Sequence, residues 1–258
     1  MAWDPKTYLR FDAERTRPAG ELLARIEAGA PQRVADLGCG PGNSTALLAA
    51  RWPRAKIEGI DSSKEMLAEA RASGVAAEWI EADVSQWSPA RRYDVLFSNA
   101  TLQWVPDHRA LLPRLMGFVA PGGTLAVQVP RNFDEPCHTL IRKAAAGKSW
   151  ECKFEGVRDW WHVLAPEDYF DRLERHAGAI DIWETRYVQV LTGEDAVFRW
   201  MSGTGLRPFA AALDEGERAE FLEIYRAALA RAYPMRDSGV TLYPFQRLFV
   251  VARARPNG

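Results

Sequence analysis

Apolar residues in the first half of the chain fall into two alternating patterns. Short, nearly continuous apolar runs predict strands: "RVADL" (33–37), "AKIEGI" (55–60), "AAEWIEAD" (76–83), "YDVLFSNA" (93–100) and "GGTLAVQVP" (122–130). Between them apolar residues recur at helical spacing. Leu22, Leu23 and Ile26 mark a helix over 18–29, with Pro18 expected at its start and Gly29 at its stop. "STALLAARW" (44–52) reads as a helix capped by Asn43 or Ser44 and ended by Pro53. "SSKEMLAEARASG" (62–74) and "HRALLPRLMGFV" (108–119) read as two more, and Pro121, Gly122 and Gly123 as a turn leading into the fifth strand.

Strand and helix alternating in this way predict an α/β fold, Rossmann-like and doubly wound, with a mostly parallel sheet. The lack of period-two alternation fits strands covered on both faces. Beyond Pro130 the rhythm changes: 134–149 and 166–178 look helical, "IDIWETRYVQV" (180–190) is a strand, 194–234 holds two or three helices, and "FQRLFVVARA" (245–254) is a final strand. The reading is a single domain over 1–258. An N-terminal helical segment (1–30) precedes a binding core (31–130), and a helical insertion (194–237) separates the last two strands.

The first strand runs into "DLGCGPG", which places Gly38, Gly40 and Gly42 between a strand and a helix. Such a turn lets a ligand approach the backbone beside the unpaired N–H groups of a helix N-terminus, although a plain tight turn has the same composition. The surroundings narrow the choice. Asp36 precedes the glycines by two positions, where a dinucleotide site favours an apolar residue, so the turn suits a ligand with a positive centre. Asp61 ends the second strand and can accept both hydroxyls of a ribose, while Asp83 ends the third and can accept from an adenine amino group. Three acids at successive strand ends lie where open α/β sheets bind ligands.

The stretches "VADLGCGPGNST", "GIDSS", "EADV", "YDVLFSNATLQWVPD" and "PGGTLAVQVP" resemble the ordered motifs of class I S-adenosylmethionine-dependent methyltransferases. "YLRFDAERTRPAGELLARI", "IDIWETRY", "TGLRP" and "RLFVVAR" extend the likeness over 3–254, to members that esterify a small tricarboxylate. The match is least clear over about 145–165. The resemblance implies a seven-stranded sheet with an antiparallel last strand and S-adenosylmethionine as methyl donor. It implies that Asp36, Gly38, Gly40 and Asn43 cradle the methionine part, Asp61 and Ser62 the ribose, and Asp83 and Val84 the adenine. Asn99, Ala100 and Trp104 then lie beside the sulfonium, and the 194–237 helices cap the acceptor.

A carboxylate acceptor is ionised at neutral pH, its pKa being about 4, so no catalytic residue of the general-base kind is needed. That agrees with "SNATLQW", which has no His or Lys. Cations must hold the remaining carboxylates, and the guanidinium fork suits them. Arg207 is the first candidate and Arg15 the second, with Arg17 and Arg247 behind them. Tyr8 and Tyr187 offer hydroxyls, and Trp104 a wall.

Composition mainly removes other classes. Thirty-three basic against 34 acidic residues give a net charge of -1, which does not suit a nucleic-acid partner. Three cysteines (Cys39, Cys137, Cys152) are too scattered for a disulfide framework or a clustered metal site, and the four histidines are not at ligand spacing. The N-terminal stretch has no signal-peptide core, and no apolar run reaches the roughly 18 residues of a membrane span. A cytoplasmic enzyme acting on a small molecule, as a monomer, is the expectation. The competing readings are methyl transfer to another small acceptor, a nicotinamide dehydrogenase lacking the usual Tyr-x-x-x-Lys pair, and a cofactor-binding protein without catalysis.

Overall fold

A computed structural model describes residues 12–155, 157 and 162–256, the side chains of 12–15 excepted. Tyr8 and the side chain of Arg15 therefore lie outside the described residues. The elements run α1 (Asp12–Ala24), β1 (Arg33–Leu37), α2 (Asn43–Arg51), β2 (Lys56–Asp61), α3 (Lys64–Ala72), β3 (Glu78–Glu81), β4 (Tyr93–Asn99), α4 (His108–Gly117) and β5 (Val119–Pro130). They continue as α5 (Pro136–Ala145), α6 (Pro166–Leu173), β6 (Ala177–Thr192), α7 (Ala196–Ser202), α8 (Arg207–Ala212), α9 (Glu215–Ala232) and β7 (Val240–Ala254).

The strands form one seven-stranded sheet in the order β3-β2-β1-β4-β5-β7-β6. The first five pair in parallel, with Leu37 beside Ile60 and Asp36 beside Phe97, and the last strand is antiparallel. The chain winds outward from β1 to β3 and then returns to β4 on the other side of β1. That reversal makes the carboxyl ends of β1 and β4 the place where such sheets open a crevice.

Two compact units divide the chain. One holds the described parts of Met1–Pro130, His162–Thr185 and Leu248–Gly258, the other those of Arg131–Trp161 and Arg186–Arg247. The first is built on residues such as Val34, Ile60, Leu96, Leu112 and Val127, each buried, with Tyr169 and Leu248 in the same cluster or beside it. The second holds an aromatic cluster in which Phe154 lies 5.2 Å from Phe209 and 5.5 Å from Phe221. Beside it, three tyrosine hydroxyls converge on Cys137: Tyr233 meets its N–H, Tyr225 donates to its carbonyl, and Tyr243 lies 3.3 Å from its sulfur. This unit is larger than the 194–237 stretch and includes 131–161 as well.

Several local expectations need correction. Pro18 lies within α1, not at its start, because the helix begins at Asp12. The helix after the glycine turn is not capped by Asn43 or Ser44. Gly42 takes the N-cap position at φ 97, and no side chain caps it, because Ser44 is turned toward Asp36. Pro121, Gly122 and Gly123 lie inside β5, where the pairing jumps from Tyr93–Val119 to Val95–Thr124 and the chain between bulges out. Arg207 opens α8, where Pro208 fits the first turn of a helix.

Candidate active site

The glycine turn holds its shape through backbone bonds to β2: the N–H groups of Gly38 and Cys39 both donate to the Ile60 carbonyl, at 2.7 and 3.0 Å. Gly38 and Gly40 have φ values of 72 and 54, in the left-handed region. A Cβ on Gly38 would lie 2.1 Å from Thr101, whereas one on Gly40 would meet nothing within 4 Å. The first glycine thus answers to the protein, and the second leaves room at the crevice.

That crevice is lined by the turn residues Gly38–Pro41, by Asn43 and Ser44 of α2, and by Asp61 and Ser62 after β2. Asp83 and Val84 close it after β3, Asn99–Thr101, Trp104 and Val105 after β4, and Thr16 and Ala19 from α1. The structure therefore brings together Gly38, Gly40, Asn43, Asp61, Ser62, Asp83, Val84, Asn99, Ala100 and Trp104. Thr16, Ala19, Met66 and Thr101 join them without a sequence signal.

Asp61 is fixed from two sides: Gly40 N–H donates to its Oδ2 at 2.9 Å and Ser63 N–H to its Oδ1 at 2.8 Å. Asp83 accepts from Ser85 N–H at 2.8 Å in the same fashion, an Asx turn at the strand end. Ala100 carries φ 54, which a residue with a Cβ enters only when held there. Gln103 Nε2 donates to its carbonyl at 2.7 Å, and Gln128 accepts its N–H at 2.9 Å.

Asp36 stands apart. It is fully buried and does not line the crevice; its Oδ2 accepts from Ser44 and Thr45, both at 2.7 Å. Burial raises its pKa from 3.8 to about 6, against those two hydrogen bonds. It acts on the turn from behind, through the first residues of α2. Cys39 is buried too, and loss of solvation pushes its thiol well above the usual range, so it is no nucleophile. Arg207 is half-buried at the start of α8, in the second unit.

A donor with a cationic centre, an amino group and a ribose fits these residues. Open space faces Gly40, and the buried Oδ1 of Asn99 accepts no hydrogen bond among the described residues. An acceptor left without a donor at such a place is costly and suits an incoming N–H. The described lining holds carboxylates and no Lys, Arg or His.

A family model described as a methyltransferase domain matches residues 34–123. The chain is 47% identical over 250 residues to trans-aconitate 2-methyltransferase of Azoarcus sp. (strain BH72), covering 97% of this chain and 98% of that one. It is 50% identical over 254 residues to the enzyme of the same name from Methylobacterium nodulans, with coverages of 97% and 98%. The Escherichia coli (strain ATCC 8739) protein of that name is 45% identical over 251 residues, with the same coverages. Among solved structures, Haemonchus contortus phosphoethanolamine N-methyltransferase 2 in complex with S-adenosyl-L-methionine superposes with a TM-score of 0.55 at 14% identity, over 93% of this chain and 53% of that one. The plantazolicin methyltransferase BpumL, in complex with S-adenosylhomocysteine, superposes with a TM-score of 0.51 at 16% identity, over 96% and 89%. These two share the fold. At such identity and coverage among the named relatives, the chain belongs to the trans-aconitate 2-methyltransferase family of class I methyltransferases.

Proposed function

We propose that the protein transfers the methyl group of S-adenosylmethionine to a carboxylate of trans-aconitate, giving the monomethyl ester and S-adenosylhomocysteine. The observation that carries this reading is the crevice at the β1/β4 switch point, in a chain 45–50% identical to three enzymes of that name. When bound, S-adenosylmethionine supplies an electrophilic methyl group on a positively charged sulfur.

The residues divide the work by position. Asp61, held by Gly40 and Ser63, presents its remaining lone pairs to the ribose hydroxyls, with Ser62 beside it. Asp83 and Val84 take the adenine, one by its carboxylate and the other by its apolar face. Asn99 Oδ1 receives the amino group, which supplies the hydrogen bond that oxygen lacks. The Gly38–Gly40 backbone and Asn43 hold the methionine part, and Asp36 keeps that turn in place from behind.

No proton has to be removed from a carboxylate nucleophile of pKa about 4. Alignment and exclusion of water then carry the reaction, a contribution of roughly 7–11 kcal/mol in well-oriented systems. Trp104 and Ala100 form the wall that serves this. We assign the acceptor's other carboxylates to Arg207 and Arg15, with Tyr8 adding a hydroxyl and Trp104 a flat surface, and the acceptor contacts in general to the 194–237 helices. A cytoplasmic setting suits the chain, since its three cysteines are free and no helix among the described residues is long and apolar enough to cross a membrane.

The test is a comparison of kcat/KM for trans-aconitate, its cis isomer, a phenol and an amine, with labelled donor. Preference for trans-aconitate supports the reading. Transfer to a different acid alone leaves the donor site standing and removes the acceptor.

A further inference from the structure

The wall that follows β4 is anchored by a histidine that the methyl-transfer chemistry does not use. Leu102 opens the single turn Leu102–Trp104, and its carbonyl lies 2.7 Å from Nε2 of His108. A carbonyl only accepts, so Nε2 carries the ring proton. Nδ1 of the same ring is 2.7 Å from the Tyr169 hydroxyl, on α6. His108 is 1% exposed, and burial holds its pKa below the usual value against the hydrogen bond to the Leu102 carbonyl and, more weakly, the nearby Asp107, with His162 acting in the same direction as burial. The ring is therefore neutral, and its bare Nδ1 accepts the Tyr169 proton. Hydrogen bonds thus run one way, from Tyr169 to His108 to the Leu102 carbonyl.

Residues on both sides of Leu102 line the crevice. Thr101, one residue earlier, donates to the Gly38 carbonyl at 3.0 Å, and Ala100 before it is in the left-handed region. Trp104 N–H closes the turn onto the Thr101 carbonyl at 3.0 Å, and Val105 N–H onto that of Leu102 at 2.8 Å. The Leu102 carbonyl thus accepts from both Val105 and the His108 ring, at the middle of a segment in which Ala100, Thr101, Trp104 and Val105 line the crevice. Alternatives for this carbonyl are poor, because Leu102 is fully buried and no solvent replaces the imidazole.

We propose that His108, its ring held in place by Tyr169, is a positioning residue for methyl transfer: by fixing the Leu102 carbonyl it holds the Ala100–Val105 wall in the shape that donor and acceptor need. The donor and acceptor are those of the proposed function, on which this inference rests; the role of the wall does not depend on their identity.

Three variants test it. His108→Gln keeps an N–H at the reach of Nε2, His108→Leu removes it, and Tyr169→Phe removes the hydroxyl that holds the ring at Nδ1. S-adenosylhomocysteine affinity by calorimetry, kcat and KM for trans-aconitate, and amide exchange over 99–105 are read on protein shown to be folded at the assay temperature. We expect His108→Gln to stay within about threefold of wild type, and His108→Leu to lose about tenfold or more in affinity and more in kcat/KM, with 99–105 exchanging about tenfold faster while β1 and β5 exchange as in wild type. A folded His108→Leu protein with wild-type affinity, kcat/KM and exchange overturns the proposal, as does a His108→Gln variant equally impaired. If His108→Leu does not fold, Tyr169→Phe decides on the same three readouts, an intermediate loss supporting the proposal and wild-type values overturning it. A wild-type protein that fails to bind S-adenosylhomocysteine instead removes the donor reading, and exchange over 99–105 alone then decides the role of His108.

Discussion

Gly38 and Thr101 leave no room for a single carbon between them: a Cβ on the glycine would lie 2.1 Å from both Cγ2 and Oγ1 of the threonine, whose hydroxyl donates to the Gly38 carbonyl at 3.0 Å. The contact joins the turn after β1 to the loop after β4 across 63 residues of sequence. Gly38→Ala should therefore cost about 2 kcal/mol or more, from the clash and the left-handed φ together, and should abolish binding of S-adenosylhomocysteine. Adding Thr101→Ala should not rescue it, because Cβ of Thr101 is itself 2.5 Å away. Thermal melts and calorimetry check both variants.

Gly40→Ala should behave differently. Its Cβ meets no protein atom within 4 Å, so only the φ of 54 is penalised, by about 1 kcal/mol. The methyl group enters the crevice instead. The melting temperature should fall modestly while donor affinity falls steeply, and the reverse order would contradict the division of labour between the two glycines.

Asp36 sets a pH dependence of stability. Its carboxyl has a pKa of about 6 when folded and 3.8 otherwise, so the folded chain binds the proton more tightly. What this group contributes is present in full below about pH 4 and is lost as pH rises through about 6, a total of about 3 kcal/mol. Asp36→Asn keeps an oxygen for Ser44 and Thr45 and has no charge to bury. Its melting temperature should match wild type near pH 4 and exceed it increasingly toward about pH 7. A difference that stays constant across that range would mean that Asp36 is not buried as described.

Asp61 is a stricter case, because both its oxygens already accept backbone N–H groups. Asp61→Asn turns an amide NH2 toward one of those donors. About tenfold or greater loss of S-adenosylhomocysteine affinity should follow, with about 1 kcal/mol of stability. Unchanged affinity would move the ribose elsewhere.

For the acceptor, Arg207→Ala should raise KM for trans-aconitate by about tenfold or more and leave donor affinity unchanged, as expected when one bidentate carboxylate contact is lost. Steady-state kinetics and calorimetry on the same preparation separate the two. Loss of donor affinity would place Arg207 in another role.

Much of this was legible in the sequence for one reason: buried parallel strands have to be apolar, and ligands meet them at their ends. The runs at 33–37, 56–61 and 93–99 are strands buried through most of their length, and Asp61 and Asp83 do face the crevice. What stayed hidden depends on partners far along the chain. Thr101 gave no signal because its role lies in Gly38, and the pairing of His108 with Tyr169 spans 61 residues. Ser44 has the composition of a cap, yet its hydroxyl is drawn to a buried carboxylate eight residues back. Thr16 and Ala19 reach the crevice because α1 begins before Pro18, against the usual preference of proline for the first turn. Acceptor arginines are the hardest to read, since an arginine in a ligand site and one in a surface ion pair look alike in a sequence.

The most direct measurement is the chemical form of the transferred methyl group. Protein is incubated with methyl-labelled S-adenosylmethionine and trans-aconitate, and the product is then treated with alkali. A carboxyl ester must release the label as volatile methanol at a rate typical of ester hydrolysis, and it must form only when the acid is present. Label that survives alkali, or that appears without the acid, would contradict carboxyl methylation by this protein.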